Sequence, residues 1–202
     1  DNGFVYCYLN TWLNTGIAKP DNYSQESIDS IFTPDDFANL VAAKGEDGSG
    51  DKPNIIFLQL ESFMDPETVQ GLGFSQDAIP NFRKLMAECS SGILETPVVG
   101  AGTANVEFEV MTGMSVKFFG PGEYPHKGIL LEKTCESIAY DLKAAGYATH
   151  AIHDHRGAFY ERNVVFGNLG FDTFTSLEYM NNVSKTPKNW AKDIVLTQQI
   201  SD

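Results

Sequence analysis

The apolar run Ile55-Ile56-Phe57-Leu58-Gln59-Leu60 stands between Pro53-Asn54 and Glu61-Ser62. A run without alternation predicts a strand buried on both faces, as in parallel sheets. Ile93 to Val99 predicts a second strand, and Tyr147 to Ile152 a third. Helical spacing fills the intervals. Ile79, Phe82, Leu85 and Met86 share one helix face, and from Thr103 the positions Val106, Val110 and Met111 share another, as far as Gly113. Thr134 to Gly146 reads as a helix with Thr134 as N-cap, Leu142 on its apolar face and Gly146 as its stop. The order strand, helix, strand, helix, strand implies an α/β fold of parallel βαβ units with right-handed crossovers.

The flanks are less regular. Alternation at Phe4, Tyr6 and Tyr8 is compatible with a short strand, and equally with a membrane-proximal arm. Ser24 is a weak helix start. Thr33-Pro34-Asp35-Asp36 is a better one, with Thr as N-cap, Pro at the first helical position and acids in the first turn. The glycine-rich stretch Gly45 to Asp51 reads as a linker and divides residues 1–50, a tether and helical region, from residues 51–202. Gly120, Gly122 and Pro125 make a loop in which His126 is expected to be exposed. Phe159 to Asn163 opens a further helix, Leu169 to Phe174 closes it into an extended piece, and Trp190 to Ile200 can form one more helix.

Composition narrows the function classes. The 202 residues carry 27 acidic and 14 basic side chains, a formal net charge of −13, which argues against nucleic acid as a partner. An anionic substrate stays open, because a metal ion or a local Arg/His cluster can reverse the field inside a cleft. Cys7, Cys89 and Cys135 have no metal-ligand spacing and read as small buried hydrophobes. No apolar run of roughly 18 residues is present, so no span is expected within these residues.

Reactive groups recur at the strand exits. Glu61 ends the first strand, Thr103 follows the second between Gly102 and a helix, and His153 ends the third with Arg162 soon after. Open parallel sheets collect their sites there. Each residue has a plain alternative: Glu61 as a helix-start acid, Thr103 as a helix cap. Together they suit phosphate chemistry. A divalent cation shared with a carboxylate would activate a Thr hydroxyl, and oxygen ligands favour Mg²⁺ or Mn²⁺. His153 and Arg162 could hold non-bridging phosphate oxygens.

The stretch from Pro53 to Tyr179 resembles the amino-terminal half of the catalytic domain of lipoteichoic acid synthases, the phosphoglycerol transferases of the sulfatase-like alkaline phosphatase superfamily. The carrying motifs are Asn54-Ile-Ile-Phe-Leu-Gln-Leu-Glu61-Ser62-Phe63, Gly102-Thr103-Ala-Asn-Val-Glu107-Phe108, His153 with Phe159-Tyr160-Glu161-Arg162, and Asn168-Leu-Gly-Phe-Asp-Thr-Phe174. The resemblance implies a metal-binding Glu61, a nucleophilic and metal-binding Thr103, and substrate contacts from His153, Arg162 and Tyr160, the last where the family often has Trp. It implies an Mn²⁺ or Mg²⁺ cofactor and an anionic glycerophospholipid or polyglycerol phosphate substrate. It also implies a site on the extracellular face of a bacterial cell membrane, reached through segments outside these residues.

Family members complete the metal site with an Asp-His pair and a further His from the carboxyl-terminal half. Asp154-His155 falls in the substrate-phosphate segment instead and reads as a coincidental match, with a lining role as the alternative. The chain is therefore expected to be a nucleophile half, inactive alone, whose uncovered sheet edge would invite self-association. The competing functions are sulfuric ester hydrolysis, phosphoethanolamine transfer, and a non-catalytic binding or scaffold role. Cys89-Ser90-Ser91-Gly92 does not match the formylglycine context of a true sulfatase.

Overall fold

The computed structural model describes residues 3–14, 16–31, 52–60, 63–96, 98 and 102–201. Helix α1 spans Gly3–Leu13 and α2 spans Gln25–Asp29. Residues 4–8 are therefore helical rather than a strand; the polar Asn10 and Thr11 break the alternation, and no neighbouring strand pairs with them among the described residues. Ser24 caps α2 as expected, its side chain accepting the Ser27 N–H at 3.1 Å. The helix expected from Thr33 and the linker to Asp51 lie outside the described residues.

Helix α3, Pro80–Glu88, begins on proline at its first position, where the missing N–H costs nothing. Helix α4 spans Thr103–Thr112, α5 Ile129–Glu132, α6 Ile138–Ala144, α7 Arg162–Asn168 and α8 Ile194–Ser201. Helix α6 starts later than its sequence suggests. Ser137, not Thr134, caps it by accepting the Ala139 N–H, and it hands over to Gly146 at φ +83°.

Two strands pair, β1 (His150–His153) and β2 (Thr173–Ser176). They run parallel, with His150 opposite Thr173 and His153 opposite Ser176. Helix α7 lies between them in sequence and packs on β2, so the expected βαβ unit is present. The expectation fails at the first two strands. Residues 52–60 and 91–96 join no ladder, and their apolar side chains are open: Ile56 is 69% exposed. A parallel strand needs a ladder partner at its edges and apolar cover on both faces. Among the described residues, neither run meets them.

The core sits under the βαβ unit. Phe108 of α4, Leu130 of α5, Ala151 of β1, and Val165, Phe166 and Leu169 around α7 form one buried cluster. Its aromatic pairs meet edge-on, Phe108 with Phe119 at 5.6 Å and Phe166 with Phe174 at 4.9 Å, the geometry ring quadrupoles favour. Cys135 touches this cluster, but Cys7 and Cys89 are exposed. Both lie on segments with no buried residue, so the reading of buried thiols is corrected for them.

Candidate active site

The site is built around the start of α4. Gly102, at φ +94°, is its N-cap, and Thr103 is its first helical residue. The cap reading of Thr103 is thereby corrected. A glycine takes the left-handed turn, and no side chain caps the helix. Room is also short. A Cβ on Gly102 would fall 2.9 Å from Tyr124 Oη and 3.2 Å from Val98 Cγ1. The Thr103 hydroxyl is half-buried and hydrogen-bonds to no described residue. It stands at a helix N-terminus, where orphan N–H groups and the macrodipole favour an anion.

One turn on, Glu107 anchors this helix from below. The buried Arg162 grips it with a fork: Nε donates to Oε2 at 3.0 Å and Nη2 donates to Oε1. Arg162, only 1% exposed, also donates from Nη1 to the Phe159 carbonyl at 3.2 Å. His126 Nε2 stands 3.4 Å from Glu107 Oε2. Burial alone would raise the Glu107 carboxyl, but His126 and Arg162 outweigh it and hold it at about 2. His126, expected to be exposed, is fully buried. The loop expected to free it folds Pro125–Lys127 against α4, because Asn105 Nδ2 donates to the Glu123 carbonyl at 3.2 Å.

Tyr160 takes φ +57° and Glu161 φ +53°, a strained pair that turns the chain into α7. That turn lays the Tyr160 ring 5.7 Å from Tyr124, which touches Gly102, and 5.3 Å from the Arg162 guanidinium. His153 ends β1 within electrostatic reach of Arg162 and Glu107. Its Nδ1 accepts the His155 N–H at 3.0 Å, so its own proton belongs on Nε2. Burial first, and then the Arg162 charge, push His153 below its ordinary value of 6.5. It is a neutral donor at neutral pH.

The structure thus gathers Thr103, His153, Tyr160 and Arg162 in one region. Glu61 lies outside the described residues. Asp154 and His155 form no metal cluster: among the described residues no group of three or more His, Cys, Asp or Glu could hold an ion. His155 instead packs on Phe159 at 4.2 Å. Sequence reasoning gave no role to Glu107 or Asn105, although both sit in the quoted motif. For Glu107 the signal was helical spacing, four residues after Thr103 and on the same side of α4; Asn105 had none.

A sulfatase family model matches residues 53–202. The chain belongs to the sulfatase family. A Rhizobium meliloti (strain 1021) protein provisionally assigned to cyclic beta-1,2-glucan modification is 32% identical over 199 residues, covering 98% of this chain and 29% of that protein. The capsular polysaccharide biosynthesis protein RkpI of the same organism is 26% identical over 157 residues, 76% of this chain and 28% of that one. The chain thus spans less than a third of the length of these curated relatives. The Streptococcus pyogenes phosphoglycerol transferase GacH, solved with sn-glycerol-1-phosphate, superposes with a TM-score of 0.74 at 25% identity. That match covers 92% of this chain and 50% of GacH. The fold is accordingly the α/β, parallel-sheet arrangement of the alkaline phosphatase/sulfatase-like group, of which this chain forms part. The resemblance to phosphoglycerol transferases of the sulfatase-like group stands on the family model and the GacH match.

Proposed function

We propose that this chain carries the nucleophile and substrate-phosphate contacts of a phosphoglycerol transferase that modifies a bacterial glucan outside the cytoplasmic membrane. The observation that carries the reading is the Thr103 hydroxyl, set at the open N-terminus of α4 without a described partner. The GacH match supports glycerol phosphate as the transferred group, and the relative provisionally assigned to glucan modification supports a glucan acceptor.

A divalent cation of the Mg²⁺ or Mn²⁺ type suits this site, since a half-buried hydroxyl with no described partner is an oxygen donor in search of one. Glu61 and Thr103 would hold it, with further ligands from outside these residues, and it would lower the hydroxyl's pKa. In the first step Thr103 Oγ1 attacks phosphorus in line. An Oγ1–P bond forms, the donor lipid's ester O–P bond breaks, and the lipid alcohol leaves with the proton that Thr103 gave up. In the second step an acceptor hydroxyl attacks the phospho-threonine, the Oγ1–P bond breaks, and the proton returns to Thr103. His153 Nε2–H donates to a non-bridging oxygen, Arg162 contributes its charge beside that oxygen, and Tyr160 walls the glycerol side. Helix α4 adds its N-terminal N–H groups.

Mass spectrometry of the full-length protein after brief exposure to phosphatidylglycerol tests the reading. A glycerol phosphate adduct on Thr103 is expected. Full turnover by Thr103→Ala would sink it.

A further inference from the structure

Five aromatic rings run outward from the nucleophile. Tyr124 stacks beside Tyr160 at 5.7 Å, Tyr160 meets Phe159 at 4.7 Å, Phe159 meets His155 at 4.2 Å and His155 meets Trp190 at 5.8 Å. The inner end touches Gly102, next to Thr103. The outer end is open to solvent, with Phe159 47% and Trp190 60% exposed. Only Tyr160 has a part in the chemistry already described.

Packing among the described residues does not account for the outer rings, because neither Phe159 nor Trp190 belongs to the buried cluster. Their surroundings are not purely apolar either. A concavity of about 460 Å³ borders Phe159 and Tyr160, and Lys127 and Glu161 line it. The Lys127 ammonium lies over the Tyr124 and Tyr160 rings, at 5.2 and 4.8 Å. The His155 ring is held by the Arg156 N–H, which donates to its Nδ1 at 2.8 Å. With Nδ1 occupied as an acceptor, the ring offers its Nε2–H to a ligand hydroxyl. Flat apolar faces alternating with charged and hydrogen-bonding groups suit a ligand built the same way. A pyranose has C–H faces that lie on aromatic rings and a rim of hydroxyls that reach polar groups.

We infer that the ledge from Tyr160 through Phe159 and His155 to Trp190 is the acceptor subsite, where successive sugar rings of a glucan stack and lead one hydroxyl to the phospho-threonine at Thr103. This rests on the glycerol phosphate transfer proposed above. A charged polymer is disfavoured, because Lys127 and Glu161 bring opposite signs to the same concavity. A lipid tail is disfavoured by the polar groups set between the rings.

The test uses full-length protein, phosphatidylglycerol in detergent micelles as donor and a linear beta-1,2-linked glucan as acceptor. Trp190→Ala is expected to raise the KM for the glucan about tenfold, the usual scale for one lost apolar contact, while the KM for the donor shifts less than twofold. Trp190→Phe, which keeps a flat ring, should restore most of the loss. A purely structural role for Trp190 would move both KM values and lower the melting temperature. An unchanged glucan KM in a folded Trp190→Ala protein overturns the ledge and leaves the Thr103 chemistry untouched. If the wild-type protein forms no adduct on Thr103, the transfer reading fails separately. Saturation-transfer NMR with the glucan alone then decides the ledge: signal lost in Trp190→Ala supports it, and signal equal to wild type refutes it.

Discussion

Glu107→Gln removes one charge from under α4 and keeps the side chain's shape. The wild-type carboxylate is buried and held by the fork of Arg162, itself 1% exposed. The substituted amide would still accept one hydrogen bond, but the guanidinium would lose the charge that offsets its own burial. Breaking one side of a buried pair costs about 3–5 kcal/mol. The lowering of the Glu107 carboxyl on folding corresponds to a similar size. The carboxyl falls from an ordinary 4.5 to about 2 on folding. At about 1.4 kcal/mol per pH unit, that is on the order of 3 kcal/mol. A lowered carboxyl stabilises the fold above its unfolded value, and that stability disappears as pH falls from 4.5 through about 2. Urea denaturation of wild type and variant therefore has two expected results. At pH 7 the variant is less stable by about 3 kcal/mol. Between pH 4.5 and 2 the gap closes, because the wild type loses its own charge. A gap under about 0.5 kcal/mol at pH 7, or one that stays constant down to pH 2, would refute the account of Glu107 as a buried, charge-bearing anchor.

Gly102→Ala must place a Cβ at φ +94° against Tyr124 and Val98, so a loss of about 1–2 kcal/mol in thermal melts and a sharp fall in transfer rate are expected. His153 sits below its ordinary 6.5, so the donor KM should stay flat from pH 8 down past 6.5. A break at or above 6.5 in the profile would contradict the neutral Nε2 donor. EDTA should end transfer and Mn²⁺ or Mg²⁺ restore it, with Glu61→Ala raising the metal concentration needed by about tenfold or more; EDTA-resistant transfer would refute a cation-assisted Thr103.

Much of the candidate site was legible in the sequence because its residues mark boundaries. Thr103 follows a glycine and precedes a helical pattern, and His153 ends an apolar run before a polar one. Boundary chemistry is local, and local chemistry is written in neighbouring residues. The βαβ unit was legible for the same reason, as periodicity switches between its strand and helix segments.

Partners were not legible. The apolar runs at 55–60 and 93–96 state a demand for burial, but whether a neighbouring backbone meets it is a long-range matter, and among the described residues it does not. His126 lies in a loop rich in glycine and proline, where local composition favours exposure. The fold buries it against Glu107, nineteen residues away in sequence. Arg162 read as a substrate-phosphate contact, and nothing near it in sequence points to Glu107. Only the packing of α7 on the core brings Glu107, fifty-five residues earlier, under its fork. The sequence by itself determined which groups are candidates for the chemistry, Glu61, Thr103, His153 and Arg162, and their order along the chain. The tertiary structure alone decided how they are charged and supported, because burial and long-range pairing set the electrostatics of a side chain.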